Sequence, residues 1–105
     1  MKTYKVVITA IAKAQIKKYL KYLSNNLKNP QAARAVRDDY KETIKQLKNI
    51  AGSLKDCDNP NLANRNLRRI CFQKHDYVML YRIDDNTATV VRIYHMLQDY
   101  ENKMV

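Results

Sequence analysis

A single glycine and two prolines stand among the 105 residues. With only Gly52, the chain cannot build a glycine-rich loop of backbone N–H groups around a phosphate. Cysteine is equally scarce. Cys57 and Cys71 show no CxxC or zinc-finger spacing, which points to a reduced cytosol and a cytoplasmic protein. No metal ligand set is visible, since His75 and His95 lie in different segments with no HxxxH and no cysteine pair to complete a tetrahedron. The opening run Tyr4-Lys5-Val6-Val7-Ile8 is interrupted by lysine and no long apolar stretch follows, so neither a signal peptide nor a membrane span is expected. Acidic residues are also few. Ten Asp and Glu face twenty Lys and Arg, for a net charge of +10, and such a field suits a polyanion or an acidic protein as partner.

The length fits one domain over residues 1–105. After the opening strand the period becomes helical, with Ile16, Tyr19 or Leu20, Leu23 and Leu27 on one stripe, which predicts a helix over Ala10–Leu27. Asn29-Pro30 reads as an N-cap with proline in the first turn. A second helix follows on the stripe Ala33, Val36, Tyr40, Ile44, Leu47 and ends near Gly52, so the two helices form an antiparallel hairpin. Residues 51–66 have turn composition and read as a loop. Leu67–Gln73, Tyr77–Asp84 and Thr87–His95 read as three strands, with Asp85-Asn86 as the tight turn between the last two. The expected class is α+β: an N-terminal strand, a two-helix hairpin, then a three-stranded antiparallel meander forming one sheet with the helices on one face.

A tight turn at Asp85-Asn86 sorts the last two strands by face. Val78, Leu80, Val91 and Ile93 form an aliphatic cluster suited to packing under the hairpin. Tyr77, Met79, Tyr81, Ile83, Val90, Arg92 and Tyr94 form the other, open face. Arg92 among apolar neighbours needs a partner or an open groove, and Arg69 is the arginine of the preceding strand expected beside it. What remains for chemistry is acid–base work without a metal or cofactor. His95, followed by Asp99 and Tyr100, is placed to gather beside Arg92 and Arg69, and His95 is the natural proton carrier near neutral pH. These four, His95, Asp99, Tyr100 and Arg92, are the catalytic candidates for RNA cleavage. Arg69, Lys74, His75, Arg82 and Tyr81 are the candidates for holding substrate.

Taken together, the opening strand, the helix hairpin, Asn66-Leu67-Arg68-Arg69-Ile70, Tyr77 to Asp84, Val90 to His95 and the closing His95 and Asp99 resemble the RelE/ParE superfamily of type II toxin–antitoxin toxins. The resemblance implies a growth-arresting toxin with an acidic antitoxin as partner. It implies one of two targets: mRNA on the ribosome, cut by metal-independent attack of the 2′-OH on the adjacent phosphate, or DNA gyrase, inhibited without nuclease chemistry. RNA cleavage is the first expectation, gyrase inhibition the second, and a weak nucleic-acid-binding domain the third. The arginine that RelE-like enzymes carry after the last strand is matched only by Arg92, earlier in the strand. Leu97 stands where the ParE-like ending often has arginine.

Overall fold

The computed structural model describes residues 3–96. Strand β1 (Lys5–Ile8) leads into helix α1 (Ala10–Lys21), which runs on as a π-helical turn at Tyr22–Asn26. Helix α2 (Pro30–Ile50) closes in a 3-10 turn at Ala51–Ser53, and the connection to the sheet holds a single helical turn, α3 (Pro60–Ala63). Strands β2 (Arg68–Cys71), β3 (Tyr77–Asp84) and β4 (Thr87–His95) follow. Caps explain the boundaries. The Thr9 hydroxyl accepts the Ala12 N–H at 3.2 Å, the Asn29 side chain accepts the Ala32 N–H at 3.0 Å, and Pro30 occupies the first turn, where its missing N–H costs nothing.

The sheet order is β1-β4-β3-β2, with β1 parallel to β4 and the other neighbours antiparallel. The α+β class and the helices on one face are as the sequence predicts. The assignment of faces is not. Near the turn Asp84 pairs with Thr87 and Tyr81 with Val90, but beyond a β-bulge Leu80 pairs with Arg92, Met79 with Ile93 and Tyr77 with His95. Val91 is the extra residue, and it reverses the parity of everything after it. The helices therefore cover Tyr77, Met79, Tyr81, Val90 and Ile93, together with Ala12, Ile16, Val36 and Leu47. Val78, Leu80 and Tyr94 face the other way, under Cys57, Leu62 and Leu67 of the β2-flanking loop. Alternation could not have told the faces apart, because Tyr77 to Tyr81 are all buried, so β3 is apolar on both sides.

Beyond Ile8 no strand of the described residues lies beside the outer edge of β4, and α1 takes over. The Thr9 hydroxyl donates to the Val91 carbonyl (3.2 Å), the Gln15 side-chain oxygen accepts the Ile93 N–H (2.8 Å), and the Tyr19 hydroxyl accepts the His95 N–H (3.3 Å). Every second backbone position of the strand edge is thus met by a helix side chain. Replacing Gln15 with alanine strands the Ile93 N–H and is expected to cost about 1–3 kcal/mol, read as a lower urea midpoint at unchanged slope.

Tyr81, expected on an open face and proposed there to touch substrate, is fully buried, and its hydroxyl donates to the Ala51 carbonyl at 2.8 Å. Burial pushes its phenol up to about 12. Because the folded state favours the neutral form, this contribution is complete below the unfolded value of about 10 and is lost as pH rises towards about 12. Tyr81→Phe should cost about 1 kcal/mol at neutral pH and flatten the alkaline loss of stability, as followed by urea denaturation across that interval.

Candidate functional site

The loop between β2 and β3 is organised by one carboxylate. Asp39 of α2 is buried, and its oxygens accept the Gln73 N–H (3.2 Å), the Lys74 N–H (2.9 Å) and the His75 imidazole at Nδ1 (2.8 Å). Burial alone would push this carboxyl up. The hydrogen bonds from His75, Lys74 and Gln73 outweigh it and hold Asp39 below the usual carboxylate range. Since the carboxylate accepts, His75 donates through Nδ1 and presents Nε2 as its second functional atom. Lys74 and His75, both substrate-binding candidates, share a cleft of about 390 Å³ with Asp38 and Glu42.

The arginines form a second group. Arg69 and Arg92 both pair with Leu80, one from each side, so they lie on the same face two strand spacings apart, about 10 Å. Arg82 shares that face, two residues along β3. The expected proximity of Arg69 and Arg92 on the open side, away from the helix hairpin, is present, and Tyr94 shares that side, but Tyr77 and Tyr81 do not. Arg92 donates to the Val91 carbonyl at 2.8 Å, and Arg82 reaches Asp84 at 3.2 Å.

His95 belongs to neither group. It pairs with Tyr77 on the helix side, with the two rings edge-on at 4.9 Å, and Tyr77 in turn meets Tyr19 at 5.2 Å and Phe72 at 5.4 Å. Burial raises the phenols of both Tyr19 and Tyr77. Together with Lys18, Tyr22 and Leu27, these groups line a cleft of about 550 Å³ between the end of α1 and the end of the sheet. Asp99 and Tyr100 lie outside the described residues. The gathering of His95 beside Arg92 and Arg69 is therefore not found among the described residues, because Arg92 and His95 lie three residues apart in one regular stretch of β4 and side-chain alternation puts them on opposite faces.

Asp39 and the cleft at the end of α1 were missed by the sequence reading. The signal for Asp39 was its position three residues after Val36: the buried stripe of α2 is Val36, Asp39, Thr43, Leu47, and a carboxylate on a buried stripe needs donors. Asp39→Ala leaves two backbone N–H groups and His75 without their acceptor and should cost about 3 kcal/mol. In the native chain, the stability that the depressed Asp39 pKa contributes is complete above the unfolded value of about 3.9. It is lost as pH falls below that value, and the variant should lack this acid slope in urea titrations.

No helix among the described residues is long and apolar enough to cross a membrane. No curated protein matches the chain. Among solved structures it is similar to a chain of the chromosomal ParDE toxin–antitoxin system from P. aeruginosa, at 17% identity and a TM-score of 0.72 over 89% of this chain and 96% of that one. It is also similar to a chain of the RelBE2 toxin–antitoxin complex from Mycobacterium tuberculosis, at 21% identity and a TM-score of 0.58 over 89% of this chain and 98% of that one. Both are likenesses of fold. The family model for the ParE toxin of the type II toxin–antitoxin system parDE matches residues 6–100. A strand, a helix hairpin and a meander in this order, matched by one model over nearly the whole sequence, make the chain a member of the ParE toxin family, within the RelE/ParE superfamily.

Proposed function

We propose that this chain arrests growth in the cytoplasm by binding DNA gyrase as a protein ligand, without nuclease chemistry, and that an acidic antitoxin neutralises it. The observation that carries this reading is the separation of the candidate groups. RNA cleavage needs a proton carrier and phosphate-holding cations around one scissile bond. Among the described residues, His95 is on the helix side of the sheet, and Arg69, Arg82 and Arg92 are on the opposite side. The match to the ParE model and the higher TM-score to the ParDE chain point the same way.

Ribosome-dependent mRNA cleavage is the second reading, and one observation favours it. Arg69 and Arg92 flank Leu80 in register, a spacing that lets two guanidinium groups approach one phosphate backbone. In that reading Lys74 and His75 add cationic contacts to substrate from the β2–β3 loop.

Expression from a tightly controlled promoter separates the two. The expected outcome is loss of DNA supercoiling with intact messages, and His95→Ala should keep its growth arrest. Rapid cleavage inside translated frames, together with a loss of about 100- to 10,000-fold in His95→Ala as befits a general acid or base, would assign the nuclease function instead.

A further inference from the structure

The side of the sheet turned away from the helices is covered only in part. Over one half, Val78, Leu80 and Tyr94 are buried under Cys57, Leu62 and Leu67. The half towards the β3–β4 turn is open, and strand register sets out its cations in rows. In the row Lys5, Thr87, Asp84 the cation is on β1; in the row Val7, Thr89, Arg82 it is on β3; in the row Arg92, Leu80, Arg69 both β4 and β2 supply one. Every strand thus places one cation on this face. The rows lie about 7 Å apart, the rise of two strand residues, which is close to the step between phosphates along a nucleic-acid strand. Lys5, Arg69 and Arg82 are exposed and Arg92 is half-buried.

The side chains between the cations select the occupant. A single-stranded nucleic acid is held by stacking its bases on aromatic rings, and Tyr94, the one aromatic of the described residues on this face, is buried. An amphipathic peptide is held by a series of apolar pockets, and Val7 is the only apolar side chain exposed in these rows. A duplex asks for neither. Its outer surface is a repeating line of phosphates, met by lysine, arginine and hydroxyl groups without regard to sequence, and Thr87 and Thr89 set hydroxyls between the cations. Asp84 is the one acid in the rows, and it is engaged by Arg82 at 3.2 Å.

We infer that this face of the sheet is a contact surface for the phosphate backbone of double-stranded DNA, and that the chain engages gyrase in its DNA-bound state with Lys5, Arg69, Arg82 and Arg92 on the DNA. The inference rests on the gyrase reading above and adds the DNA to the protein as a partner.

The test is fluorescence anisotropy with the full chain and a labelled duplex of random sequence. Four phosphate contacts require a slope of log K against log salt of about −3 to −4. Lys5→Gln/Arg82→Gln removes two exposed cations, so the fold is kept, which urea denaturation checks. This variant should lose on the order of tenfold in affinity and flatten the slope by about two. Lys17→Gln/Lys21→Gln, the same change of charge on the outer side of α1, should bind like the native chain. Asp84→Asn takes the acid out of the rows and should bind about threefold more tightly. In a gyrase supercoiling assay, Lys5→Gln/Arg82→Gln should need on the order of tenfold more protein for the same inhibition, in step with its lost affinity. Equal losses in the two double variants would reduce the binding to net charge and overturn the inference, as would a single strand or an RNA hairpin bound more tightly than the duplex. Full inhibition of gyrase by a chain that does not hold DNA, native or variant, overturns the inference and leaves the gyrase reading standing. No inhibition by any version, the native chain included, overturns that reading and the inference with it.

Discussion

Helix α1 acts as a surrogate strand. Strand β1 is only four residues long and pairs with the first half of β4, so the second half of β4 would present unpaired backbone to solvent. Thr9, Gln15 and Tyr19 supply the missing partners at alternate positions. The same contacts accommodate the bulge at Val91, whose carbonyl takes both the Thr9 hydroxyl and the Arg92 guanidinium. Without α1 in this position, the carbonyl that the bulge releases would lose a partner. The distribution of residues between the two sheet faces follows from that one tolerated irregularity.

Much of the architecture was legible because it is written in caps and periods. Asn29-Pro30 marks the start of α2, Asp85-Asn86 marks the hairpin, and the helical stripe of α1 carries Ile16 as expected. The faces were not legible, for two physical reasons. A strand buried on both sides has no polar alternation to read, and Tyr77 to Tyr81 is such a strand. A bulge has no sequence signature as strong as a glycine turn, and Val90-Val91-Arg92 is locally ordinary β sequence. Arg69 and Arg92 do share the open face, on either side of Leu80 and with Tyr94, whereas Tyr77, Tyr81 and His95, expected in their company, lie on the helix side. The Asp39 clamp lay hidden because an acidic residue in a helix with many charges reads as solvated until its three donors are seen.

The sheet thus divides the molecule's recognition chemistry. One side offers guanidinium groups around Leu80, a surface for phosphates or carboxylates approached from outside. The other offers aromatic rings beside a lysine-bearing helix.

The parallel pairing of β1 with β4 has a consequence for the order in which the protein can take shape. Thr9 and Val91 are in contact although 82 residues separate them, and β4 is the strand that β1, β3 and α1 all require. A nascent chain emerging from its N-terminus therefore carries a helix hairpin whose apolar stripe has nothing to cover until the last strand is made. Such long-range closure is slow, and the unfinished chain exposes sticky surface meanwhile. The fold becomes complete only once β4 has been made. That delay gives a waiting partner its first opportunity to engage the toxin before it has ever been free.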